Sequence, residues 1–148
     1  RLMTSPMTSA RMAGRTARIV LDASYAIAVV MGDEPDPVST DVVLAAQLLV
    51  PPIWTWEMGN ILLVNLRRGR LGRPELPAVL QAVDTLAVRV EPAAALSVGE
   101  WLDLGDRHGL TTYDAQYLDL ALQQRCGLAT QDRRLAEAAE RLGLPVYA

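Results

Sequence analysis

The chain contains no lysine and no phenylalanine, and it has one cysteine, Cys126, and one histidine, His108. Without lysine there can be no P-loop, no Schiff base and no receiver-type phosphorylation domain, which needs its own lysine. A single cysteine excludes an internal disulfide and fits a reducing compartment. Together with a single histidine it also excludes any site built on several thiolate or imidazole ligands. No segment approaches the roughly 20 uninterrupted apolar residues of a membrane-spanning helix, because Asp, Glu, Arg or Pro breaks every run. The expectation is a soluble, cytoplasmic protein with no membrane partner.

What remains suits one domain. Of 148 residues, 51% are hydrophobic and 21% charged, enough for a chain of this size to bury roughly 68–70% of its unfolded surface. All 14 basic residues are arginine, against 17 acids, for a net charge of −3. An arginine bias of this kind reflects a GC-rich coding sequence before it reflects function. Residues 1–17 hold no acid, no periodic apolar pattern and no apolar stretch of a secretory signal. They read as a flexible leader or added sequence ahead of a domain over 18–148.

From Arg18 onward strands alternate with helices. RIVLD is a short buried strand, and the helix ASYAIAVVM is closed by Gly32 and Pro35. A helix in VSTDVVLAAQ, a strand in LLVP and a long helix from Ile53 to Gly69 follow. Pro74 opens a helix through Leu86, and AVRVEP is a strand. Two helices, SVGEWLDLGDRHG and TYDAQYLDLALQQRCG, lead to the strand GLATQ, the amphipathic helix RRLAEAAERLG and the last strand PVYA. This alternation predicts a parallel sheet covered by helices on both faces.

The informative residues are acids on apolar faces. Glu57 has Ile53 and Trp54 at i−4 and i−3, and Asn60, Ile61 and Val64 at i+3, i+4 and i+7. Asp114 has Tyr117, Leu118 and Ala121 at the same forward offsets. A buried, unpaired carboxylate costs several kcal/mol, so two of them require a partner. Asp22 and Asp132 follow strands at their carboxyl ends, with Thr130 two residues before the second. In doubly wound sheets a ligand crevice lies outside those ends, where strand order reverses. With few arginines near these acids, the natural counter-ion is a divalent metal, and oxygen-only ligands select Mg²⁺ or Mn²⁺. Such ions orient a phosphodiester, acidify a water and neutralise charge on a leaving oxygen.

The segments VLDASYAIAVVMGDEP, PPIWTWEMGNIL, LTTYDAQYLDLA and LATQDRRLAEAA, with the ending LGLPVY, resemble the PIN-domain ribonucleases, and particularly the VapC toxins of bacterial toxin–antitoxin pairs. The resemblance runs from about Arg18 to Tyr147. It implies a three-layer α/β/α sandwich with about five parallel strands in the order 3-2-1-4-5. It also implies endoribonuclease activity with one or two Mg²⁺ or Mn²⁺ ions, a homodimer, and a small cognate antitoxin whose C-terminal segment covers the groove. The family's acidic positions fall on Asp22, Glu57, Asp114 and Asp132, with Thr130 and Asn60 in support. Asp119 stands outside this set.

Plainer readings exist for each residue. Asp22 and Asp132 can cap the helices that follow them, and Asp114 can be the third-position acid of a capping box with Thr111. Arg67, Arg68, Arg70 and Arg73 can grip RNA phosphates or can simply complement a helix C-terminus. Trp54 and Trp56 can stack on bases. At i and i+2 they face different ways, which favours one in the core and one on a partner surface. His108 reads as a helix-end residue and Cys126 as core. Two rival functions are a PIN-like module that binds RNA without cutting, and a phosphotransfer domain. The second lacks the receiver lysine, and Ser24 stands where a dehalogenase-like site needs a second Asp.

Overall fold

The computed structural model describes residues 16–32 and 39–148. The expected leader, apart from Thr16 and Ala17, lies outside the described residues, as does Pro35. In chain order the elements are β1 (Arg18–Leu21), α1 (Ala23–Met31), α2 (Thr40–Leu44), β2 (Gln47–Val50), α3 (Ile53–Arg67), α4 (Leu76–Thr85), β3 (Arg89–Val90), α5 (Val98–His108), α6 (Thr112–Gln124), β4 (Gly127–Ala129), α7 (Arg133–Arg141) and β5 (Val146–Tyr147).

The strands form one parallel sheet in the order β3-β2-β1-β4-β5, as expected. Ile19, Val20 and Leu21 of β1, Leu48, Leu49 and Val50 of β2, and Leu128 and Ala129 of β4 are all buried, because helices cover both faces of the sheet. Tyr25 of α1, Trp54 and Met58 of α3, Tyr117, Leu118 and Ala121 of α6, and Leu135, Ala138 and Ala139 of α7 complete one core. Burying a side chain the size of Leu118 or Leu128 stabilises by roughly 1.5–3 kcal/mol. In α7 the buried residues recur at i, i+3 and i+4, with the charged ones turned outward. The outer pairing of β4 with β5 depends on Gly127, where a Cβ would stand 2.7 Å from the Tyr147 ring.

Three elements depart from the sequence reading. Pro74 lies in the turn before α4, which begins at Leu76 with Pro77 in its first turn. The Glu75 carboxylate holds that turn by accepting from the Gly72 amide at 2.7 Å. The strand expected over AVRVEP is only two residues long, since Ala87 has φ +50, incompatible with extended backbone. The helix expected in VSTDVVLAAQ covers five residues, and Gln47 joins β2 instead.

β1 and β4 are adjacent: Leu21 pairs with Ala129, and the Asp22 amide donates to the Ala129 carbonyl at 2.9 Å. The chain winds outward from β1 through β2 to β3, then returns to lay β4 on the other side. The carboxyl ends of β1 and β4 therefore flank the point of reversal. Among the described residues, no helix is long and apolar enough to cross a membrane.

Candidate active site

Asp22 follows β1 directly and is only 4% exposed. It occupies the N-cap position of α1, yet its side chain makes no capping bond. Its Oδ2 instead accepts from the Ser24 hydroxyl at 2.6 Å and from the Thr130 hydroxyl at 2.7 Å. Each hydroxyl has one proton and spends it on Asp22, while its lone pairs accept from the backbone. The Gln131 amide donates to Ser24 and the Asp132 amide to Thr130, both at 2.9 Å. The 3.3 Å contact between the two hydroxyls is thus left without a proton of its own. Oδ1 of Asp22 has no side-chain partner.

Asp132 behaves differently. Its Oδ1 accepts from the Leu135 amide at 3.0 Å and caps α7, so the plainer reading of this residue holds for one oxygen, and Oδ2 is left over. Asp114 makes half of a capping box. The Thr111 hydroxyl accepts from the Asp114 amide at 3.0 Å, but the carboxylate does not reach back to complete the pair. At the start of α5 the longer Glu100 closes such a box with Ser97. Glu57 is half-buried, and its Oε1 accepts from the Tyr117 hydroxyl at 2.8 Å.

The charges of these acids act on one another. Burial holds the Asp22 carboxyl above its ordinary value against the opposing pull of the Ser24 and Thr130 hydroxyls, and the Asp132 charge adds to the rise. Glu57 is raised chiefly by burial, partly offset by Tyr117, with the charges of Asp22 and Asp114 adding. Asp114 is raised by burial and then by Asp22 and Asp132. The Tyr117 phenol is driven well above its usual range by burial and by Asp22 and Glu57, so it remains a proton donor. Among the described residues the ion pairs are Arg89–Glu91, Arg107–Asp103 and Arg133–Glu137, and none touches the four acids.

Such a donor set suits a hard cation. The free oxygens are all carboxylate and the cluster carries no internal counter-charge. No thiolate or second imidazole is at hand to favour zinc. Among the described residues no three acidic, thiol or imidazole side chains close on a common point by themselves. Mg²⁺ tolerates that spacing, since it is usually held by one or two carboxylates and keeps several of its waters.

Thr130 is fully buried within the site, whereas Asn60, one turn along from Glu57, is exposed and makes no hydrogen bond to the acids. The arginines are not brought to the acids either. Arg67 ends α3, Arg68 caps it, and all four are exposed. At 1.5 Å per residue, Arg67 lies roughly 15 Å beyond Glu57 along the helix. Trp54 is in the core and Trp56 is 72% exposed, while Cys126 is buried and His108 ends α5. Two site residues escaped the sequence reading: Ser24, noted only for not being an acid, and Tyr117, counted as an apolar neighbour of Asp114. Their signal was spacing, two after Asp22 and three after Asp114.

The model of the PIN domain family matches residues 19–141, and the chain belongs to that family. Its relatives narrow the class to VapC-type PIN proteins. A VapC ribonuclease from Mycobacterium bovis is 33% identical over 122 residues, which is 82% of this chain and 91% of the relative. Ribonuclease VapC3 from Pyrobaculum aerophilum is 31% identical over 131 residues, 86% of this chain and 99% of the relative. The fold is similar to the crystal structure of PAE2754 from Pyrobaculum aerophilum, with a TM-score of 0.65 at 22% identity over 88% of this chain and 83% of that one. It is also similar to the crystal structure of FitAcB from Neisseria gonorrhoeae, with a TM-score of 0.53 at 20% identity over 88% and 96% of the two chains.

Proposed function

We propose that this protein is a Mg²⁺- or Mn²⁺-dependent endoribonuclease and the toxin of a type II toxin–antitoxin pair. The observation that carries the reading is the set of four carboxylates, Asp22, Glu57, Asp114 and Asp132, with no ion pair to an arginine among the described residues; burial and the neighbouring acids raise the proton affinity of Asp22, Glu57 and Asp114. Asp22, Asp114 and Asp132 would hold one or two ions, directly or through water. A bound ion supplies charge neutralisation at the phosphate and an acidified water. Glu57, whose Oε2 has no hydrogen bond among the described residues, would bind an ion or orient the attacking water and take its proton. The water oxygen bonds to phosphorus as the P–O3′ bond breaks, and the departing 3′ oxygen takes a proton from solvent, leaving a 5′-phosphate and a 3′-hydroxyl. No 2′-hydroxyl nucleophile is required.

EDTA is expected to abolish cleavage of RNA by the purified protein, and Mg²⁺ or Mn²⁺ to restore it. Full cleavage in EDTA overturns the metal mechanism. RNA binding without cleavage under any metal condition supports a silent RNA-binding module instead.

Asn60 belongs to this proposal as a rim residue, and Arg67, Arg68, Arg70 and Arg73 as phosphate contacts away from the cut. Each lost contact should flatten the slope of log K against log[salt] by roughly 0.7 for single-stranded RNA. If Arg67→Ala with Arg68→Ala leaves affinity and slope unchanged, the cluster only complements the end of α3. The proposed setting is the bacterial cytoplasm, as a homodimer whose groove a small antitoxin covers. Exposed Trp56, Val98 and Leu102 supply apolar surface for such contacts.

A further inference from the structure

We propose that Tyr117 is a positioning residue of this site: its hydroxyl holds Glu57 by Oε1, so that Oε2 alone is presented to the attacking water or the cation. The inference rests on the nuclease reading above. Three of the site acids are aspartates, with few torsions to fix. Asp22 is pinned by two hydroxyls and Asp132 by the cap of α7. Glu57 has a longer, freer side chain on α3, and among the described residues its one hydrogen bond of the side chain is the 2.8 Å bond from Tyr117. The tyrosine can fix what it touches because its ring is wholly buried in the core.

The placement also links the two halves of the site. Tyr117 lies three residues after Asp114, one turn deeper in α6, so the helix that presents Asp114 also carries the hydroxyl that restrains Glu57 on α3. One hydroxyl thereby ties α6 to α3. A donor to a carboxylate makes a short, strong bond, and groups of this kind around a metal site orient the ligands they touch.

Tyr117→Phe keeps the ring and removes only the hydroxyl. In that variant the maximal cleavage rate should fall about 10- to 100-fold while KM for RNA stays within about twofold. Introduced into Glu57→Gln, the same change should cost almost nothing further, because the group it restrains has already gone. The tether itself is read without catalysis. In metal-free protein the Glu57 carboxyl ¹³C resonance, assigned by its loss in Glu57→Gln, should move in Tyr117→Phe while those of Asp22 and Asp132 hold their positions.

An unmoved Glu57 resonance, a rate matching the parent, an effect confined to KM, or an equal loss in both backgrounds overturns the proposal. If the parent cleaves no RNA with any metal while the resonance still moves, the nuclease reading fails. Tyr117 is then a structural tether, and its catalytic role fails with that reading.

Discussion

Cleavage by Asp22→Asn is expected to fall at least about a hundredfold, since even residues that merely orient metal ligands cost 10- to 100-fold when replaced. The substitution is close to isosteric at this position. Both hydroxyl bonds fall on Oδ2, so the single carbonyl oxygen of asparagine can accept them, and its amide takes the place of Oδ1, which has no side-chain hydrogen bond. No helix cap is lost, because the Asp22 side chain caps nothing. The change also removes a buried negative charge that burial and Asp132 both penalise. In EDTA the variant should therefore melt at the parent's temperature or above. Saturating Mg²⁺, at about 100 times its Kd, stabilises the parent by about 2.7 kcal/mol, roughly 5–10 °C in Tm, and the variant much less. Asp132→Asn should follow the same pattern, because asparagine can keep the bond to the Leu135 amide. Melting curves with EDTA and with Mg²⁺, beside an RNA cleavage assay, decide the matter. Activity and Mg²⁺ response like the parent's would remove both residues from the site.

The metal-free protein should lose stability as the pH rises from the ordinary carboxylate range toward neutrality. Asp22, Glu57 and Asp114 all have folded pKa values above their ordinary ones of 3.8, 4.5 and 3.8. Between those values and the raised ones the native state binds more protons than the unfolded chain, so stability falls with increasing pH. Above the raised values the whole penalty is in force, and below the ordinary ones these groups contribute none. Glu100 has the opposite sign, its pKa lowered by bonds with Ser97, but it lies at the surface. The measurement is Tm in EDTA at about pH 5 and about pH 7.5, for the parent and for a variant carrying Asp22→Asn, Glu57→Gln and Asp114→Asn. The parent should melt lower at the higher pH, and the variant should lose most of that difference. Added Mg²⁺ should restore the parent most at the higher pH, where it no longer competes with protons. Equal pH dependence in the two proteins would mean that the acids do not strain the fold.

Much of this site could be read from one dimension, and what could not depends on neighbours distant in the chain. Glu57 was legible because its helix is periodic, so a charge on the apolar face stands out. Asp22 and Asp132 were legible as acids at the ends of buried strands; strand–helix alternation implied a parallel sheet, and the family resemblance the strand order that places those ends together. Which of the two caps its helix was not legible, because both occupy the same strand–Asp–helix context. The choice is made by Ser24 and by Thr130, the latter reaching Asp22 from just past the end of β4, 108 residues away. Tyr117 was illegible for a compositional reason. In a chain with no phenylalanine, a tyrosine in an apolar stripe does not advertise its hydroxyl. The short β3 and the late start of α4 hang on single local features, the positive φ of Ala87 and the Glu75–Gly72 bond.

The central place of β1 in the sheet has a consequence for synthesis. β1, with Asp22 at its end, is made long before its neighbour β4. The Thr130 hydroxyl, the Ala129 carbonyl and Asp132 all arrive with that late segment. A nascent chain stopped before α6 holds Asp22 and Glu57 but neither of the other two acids, nor the hydroxyl that restrains Glu57. Contacts so far apart in sequence also form slowly once the chain is complete. If the four acids cut RNA as proposed, a chain truncated before α6 should not cleave the message that encodes it.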